Sequence, residues 1–156
     1  VYGDSMASNL NNGEFGLADK QFYKISKLER FDVVVIEQDD SMIIKRVIGL
    51  PNEKVEYIDG VLKINDQIVK ENFIDESTKK DTNRNDLNIS VTLKDNEYYV
   101  LGDNRLVSYD SRNIGPIEYD DIKGRVFVLY GECENLICDV KGVCNCDRKY
   151  HWPKFL

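Results

Sequence analysis

This sequence predicts a mainly β, antiparallel domain, on three observations. Short runs rich in β-branched residues recur along the chain. Two-residue turn pairs separate several of them, Asp59-Gly60 being the strongest hairpin signal. No stretch of eight or more residues holds a convincing helical period. At 156 residues the chain has enough material for one domain with a real core and too little for two ordinary ones.

Residues 1–16 carry Gly3, Gly13 and Gly16 with three asparagines, and read as turns joined by short extended pieces. Residues 22–25 form a candidate short strand. Arg30-Phe31-Asp32 leads into residues 33–36, Val-Val-Val-Ile, a run typical of a buried strand. After a hairpin-like turn at 38–41, a second strand covers 42–48 and stops at Gly49 and Pro51. A meander follows, with strands at 55–58, 61–64 and 67–69 and turns at Asp59-Gly60 and Asn65-Asp66. Residues 75–86 are almost wholly polar or charged and predict a long polar surface loop, reaching to about residue 89. Further strands are expected at 91–93, 98–101 and 126–130.

Composition removes several functions. Net charge is −7, from 21 basic and 28 acidic side chains, which argues against nucleic acid as a partner because phosphate binding needs a basic face. Hydrophobic residues make up 42% and charged ones 31%, the balance of a globular domain rather than a disordered one. No apolar run in residues 1–156 approaches the ~18 residues of a membrane span, and the expectation from this stretch is no signal peptide. The chain opens on Val1 beside its first motif, so the expectation is a piece cut from something longer.

Two residues suggest chemistry. Ser5 lies in Gly3-Asp4-Ser5-Met6, and Lys45 lies in the strand Ile43-Ile44-Lys45-Arg46-Val47. A serine hydroxyl needs a base to become a nucleophile at neutral pH. The one histidine, His151, stands in the C-terminal tail without a supporting motif. Lysine serves instead when burial keeps it neutral. Alternation puts Ile43, Lys45 and Val47 on one face of the strand and Arg46 on the other, so Lys45 points into an apolar surface. Each residue also has a plain reading: Ser5 as a turn cap, and Lys45 snorkelling to water. Gly3 favours the first alternative, because a glycine two residues before the nucleophile lets the backbone offer an N–H to an oxyanion beside that of Ser5.

Four stretches in order carry a resemblance. They are Gly3-Asp4-Ser5-Met6 with Leu10, Arg30 to Val35, Lys45-Arg46-Val47-Ile48-Gly49-Leu50-Pro51, and Gly102-Asp103-Asn104-Arg105 with Ser108-Tyr109-Asp110-Ser111-Arg112 and Gly115. Together they resemble the bacterial type I signal peptidases, membrane-bound serine–lysine endopeptidases that remove signal peptides from exported preproteins. The resemblance covers most of residues 1–130, leaving 131–156 as a cysteine-containing tail. It implies antiparallel sheets in a coiled, barrel-like core, Ser5 as nucleophile and Lys45 as general base. It also implies that Ser108 hydrogen-bonds the lysine amine and orients it, and that Asp110 and Arg112 form a structural ion pair near the site. The implied substrates are preproteins with small residues, typically Ala, at the first and third positions before the cut. No cofactor or metal is implied, and the implied location is the extracytoplasmic side of the cell membrane, in contact with the membrane surface. Ser8-Asn9 depart from the Pro-Thr usual in the family, Phe31 and Asn52 stand where glycine is common, and the larger family insertion is absent. Two rivals share features: a self-cleaving Ser–Lys repressor-type peptidase, and a non-catalytic peptidase-like scaffold or assembly chaperone.

The cysteines, Cys133, Cys138, Cys144 and Cys146, all lie in the last quarter of the chain. Their even number favours disulfides in an oxidising compartment, with three connectivities open; a metal site and free thiols are the alternatives. The end of the chain, Tyr150 to Leu156, mixes aromatics with lysine and reads either as a membrane-interface segment or as a cap on the core.

Overall fold

The computed structural model describes residues 1–7, 9–21, 27–74, 88–138 and 144–156, the side chains of Leu136, Cys138 and Cys144 excepted. The strand expected at 22–25 and most of the polar loop, residues 75–87, lie outside the described residues. Eleven strands are described, with one four-residue helix, α1 (Ser111–Ile114), and a 3-10 turn at Tyr119–Asp121. In chain order the strands are β1 (Glu14–Asp19), β2 (Val33–Gln38), β3 (Ser41–Gly49), β4 (Lys54–Ile58), β5 (Val61–Ile64), β6 (Gln67–Ile68), β7 (Ile89–Thr92), β8 (Glu97–Leu101), β9 (Ile117–Glu118), β10 (Ile122–Cys138) and β11 (Cys144–Phe155).

They form two antiparallel sheets. The larger has seven strands in the order β1-β10-β2-β3-β8-β9, with β11 added on β10; the smaller has the order β6-β5-β4-β7. The expected mainly β architecture is therefore present, and among the described residues neither strand order closes on itself into a barrel. The meander is built as its turn residues demand. Asp59 and Gly60 have φ of 51° and 76°, and Asn65 and Asp66 have 50° and 66°, the positive values that tight hairpin turns require.

Period-two alternation sorts the central strands between two cores. Val34, Ile36, Val47 and Val100 pack with Leu28, Ile117 and Ile122. Their strand neighbours Ile48, Tyr99 and Leu101 pack instead with Val55, Tyr57, Leu62 and Ile64 of the small sheet. A third cluster joins Met6 and Leu10 to Val33, Val126 and Leu129, and it seats the N-terminal segment on the large sheet.

Three strands were not legible beforehand: the two-residue β9, which pairs with the start of β8, and the longer β1 and β11. β1 falls where turns were expected, and its pattern alternates poorly, with Leu17 exposed. β11 contains no β-branched residue. β1 and β11 are strands because β10 templates them, running across residue 130 with β1 on one edge and β2 then β11 on the other. A disulfide between Cys133 and Cys146, with Cα atoms 5.3 Å apart, staples the β10–β11 hairpin. These two cysteines are therefore not thiolate ligands for a metal. The tail is an added strand and not a cap: Tyr150 stacks on Tyr130, while Trp152 is 93% exposed.

The Cys133–Cys146 bridge closes a loop of sequence separation 13. Replacing both cysteines with serine should cost about 2–4 kcal/mol through the freer unfolded chain. Urea unfolding monitored by circular dichroism measures it, and an unchanged midpoint would mean that strand pairing alone holds the hairpin.

Candidate active site

Ser5 and Lys45 meet. Lys45 Nζ and Ser5 Oγ are hydrogen-bonded at 2.9 Å, and Nζ also donates to the Ile44 carbonyl at 3.0 Å. The lysine sits on β3, a strand with neighbours on both sides, opposite Val34 of β2. Only 3% of its surface is exposed. Burial is the main cause that pushes its amine below the ordinary lysine value of 10.5; Asp110 and Asp103 pull the other way, and Arg112 adds to the depression.

The turn that carries Ser5 is held from below and from the side. Met6 and Leu10 are fully buried, and the Met6 carbonyl accepts from the N–H groups of Asn9 and Leu10. The Ser5 carbonyl accepts from the Asn104 N–H at 3.0 Å. Beside it, Gly102 has no side chain because none fits. A Cβ there would lie well inside van der Waals distance of the Ser5 carbonyl oxygen and of Ser108 Oγ.

Asp110 and Arg112 form the expected pair. Arg112 Nε and one terminal nitrogen each donate to the Asp110 carboxylate at 2.8 Å. The guanidinium also reaches the carbonyls of Arg105 and Ser108, at 2.7 and 3.1 Å. Asp110 caps α1 and accepts from the Gly102 N–H at 3.0 Å. Burial would raise its carboxyl, but the Arg112 hydrogen bonds and charge outweigh that and hold it below the usual value.

Two expected contacts are absent. The Gly3 N–H, expected to face an oxyanion, donates to Asn12 Oδ1 at 2.9 Å instead. The Ser5 N–H makes no hydrogen bond among the described residues and remains as a donor at the cleft. Among the described residues no hydrogen bond joins Ser108 Oγ to the lysine amine, so this buried hydroxyl does not hold it here. It stands near enough to Asp110 to contribute weakly to lowering that carboxyl. Asn12 carried no sequence signal, because its role depends on a contact nine residues back that no motif describes.

An open cleft of about 520 Å³ lies over the pair. Tyr2, Ile43, Val107 and Tyr109 give it apolar walls, and Ser5 and Lys45 line it with them. His151 is on β11, exposed, with its ring facing the Trp152 carbonyl at 2.7 Å, and it does not line the cleft. Among the described residues no group of three His, Cys, Asp or Glu side chains gathers to hold a metal, and no helix is long and apolar enough to cross a membrane.

Gly102→Ala should force the backbone under Ser5 to move. The expected cost is about 1–3 kcal/mol, read as a lower urea midpoint. Wild-type stability in this variant would contradict the close packing described.

Comparison with known proteins identifies the family. The family described as "Signal peptidase, peptidase S26" matches residues 1–130. Signal peptidase I V of Bacillus subtilis (strain 168) is 35% identical over 134 residues, covering 80% of this chain and 79% of that protein. Signal peptidase I S of the same organism is 38% identical over 138 residues, covering 83% and 74%. The crystal structure of a signal peptidase I from Enterococcus faecalis V583 superposes with a TM-score of 0.56 at 32% identity, covering 64% of this chain and 97% of that one. The sheets, the order of the motifs and these likenesses together establish that the chain belongs to the signal peptidase I (peptidase S26) family.

Proposed function

We propose that this chain is the catalytic domain of a signal peptidase that cuts signal peptides from exported preproteins, with residues 1–130 as its peptidase core. The observation that carries the reading is the 2.9 Å contact between Ser5 Oγ and a lysine amine that is almost fully buried. A neutral amine accepts the hydroxyl proton as Ser5 attacks the scissile carbonyl. Lys45 then gives that proton to the leaving amine, and takes another from the water that releases the acyl-enzyme. The Ser5 N–H, without a hydrogen bond among the described residues, serves as a donor for the oxyanion, a contribution worth a few kcal/mol in such sites. Ser108, buried beside Gly102, is the second residue that would hold the amine in this reading.

Small residues at the first and third positions before the cut suit the apolar cleft between Tyr2, Ile43, Val107 and Tyr109. The Cys133–Cys146 disulfide suits an extracytoplasmic compartment, at the membrane surface where preproteins emerge.

Ser5→Ala and Lys45→Met should each lower turnover of a synthetic signal-peptide substrate in detergent by at least about 10³-fold. Undiminished cleavage by either variant would overturn the mechanism. The pH profile has a definite sign. Below its pKa Lys45 is protonated and cannot accept, so kcat/KM should climb with pH. Because burial and Arg112 outweigh Asp110 and Asp103, the climb should come below the ordinary lysine value of 10.5. A flat profile from about pH 6 to about pH 10 is incompatible with a lysine base.

A further inference from the structure

One buried charge pair lies outside the residues that touch the reaction. Glu71, between β6 and the segment before β7, is 8% exposed, and Arg105 is 2% exposed. Both terminal nitrogens of Arg105 donate to the Glu71 carboxylate. The guanidinium also lies over the Tyr57 ring, 5.2 Å from its centroid. Its third nitrogen, Nε, donates to the Gly102 carbonyl at 3.0 Å, and the Arg105 carbonyl in turn accepts from Arg112.

Gly102 is thus held through both of its backbone polar groups. Its N–H goes to Asp110 at 3.0 Å and its carbonyl to Arg105. This is the glycine whose missing side chain seats the Ser5 carbonyl and Ser108, and two residues on the Asn104 N–H holds Ser5 itself. A planar guanidinium can serve Glu71 with its terminal nitrogens and Gly102 with Nε at once; a lysine ammonium, a single point, cannot.

Resting on the peptidase reading above, we propose that Glu71 is a positioning residue for the nucleophile: it fixes the Arg105 guanidinium, which fixes the Gly102 peptide on which Ser5 is seated. The pair joins the small-sheet side of the molecule to the catalytic turn. Its effect on the reaction is geometric, so it bears on kcat and leaves substrate affinity nearly untouched.

The test compares wild type, Ser5→Ala, Arg105→Lys and Glu71→Gln on a synthetic signal-peptide substrate, with folding checked by circular dichroism at the assay temperature. The expected result is folded variants with kcat lower by about ten- to a hundred-fold and KM changed by less than about twofold. Arg105→Lys is the sharper probe, because it keeps the ion pair with Glu71 and loses only the grip on Gly102. Wild-type kcat in a folded Arg105→Lys or Glu71→Gln overturns the proposal. Failure of both to fold assigns the pair to stability alone and overturns it as well. If wild type and Ser5→Ala cleave equally, or neither cleaves, it is the peptidase reading that fails.

Discussion

The molecule is built around keeping a lysine amine out of water. Lys45 occupies a central strand, and desolvation works against its charge there. Two carboxylates nearby, Asp110 and Asp103, would restore that charge if they stood alone. Neither does. Asp110 is bound through both oxygens by Arg112, and Asp103 receives Arg46 Nε at 2.8 Å and a terminal nitrogen at 2.6 Å. Each negative charge near the amine is matched by an arginine, and Arg112 itself pushes the amine further toward neutrality. A buried ion pair contributes little net stability and is costly to break. Its use here is to set the field around Lys45 while holding the surrounding loops.

The same arginines carry out the assembly. Arg46 also bonds the Phe31 carbonyl and lies over the Phe73 ring, 4.3 Å from its centroid. Asn9, standing where the family usually has threonine, donates to both Asp103 and the Phe73 carbonyl. The departure noted in the sequence therefore does not leave the turn loose: a longer amide side chain reaches two acceptors from that position. The N-terminal turn, β3 and the loop after β8 are far apart in sequence, yet they meet through these few buried polar contacts, each with its partner in place.

Much of this was legible because it is local. Alternation along residues 43–47 put Lys45 and Arg46 on opposite faces, and their separate partners agree with that. The turns at Asp59-Gly60 and Asn65-Asp66 were legible because positive φ selects few residue types. What escaped depends on partners distant in sequence. β1 and β11 have weak strand patterns of their own and exist as strands because β10 lies beside them. Glu71 reads as an ordinary surface acid until Arg105 is seen against it. The Gly3 N–H was expected at the oxyanion because a motif specifies which residues stand near a site, and not which acceptor reaches them first. Asn12 does.

The C-terminal hairpin shows how residues beyond the family match are tied into the family's core. Residues 131–156 lie outside that match, yet β10 enters them without a break. The Cys133 N–H donates to the Gly13 carbonyl at 2.7 Å, and Lys154 Nζ donates to the Asn9 carbonyl at 2.5 Å. Through these two contacts the hairpin reaches the segment between Ser5 and β1. Single hydrogen bonds of this kind are individually weak. Joined by a disulfide at Cys133 and by continuous pairing along β10, they act on one stiff element, and a stiff element holds a turn with less entropy lost per contact than free side chains do. The hairpin thus braces, from the outer side, the turn that Met6 and Leu10 anchor from within.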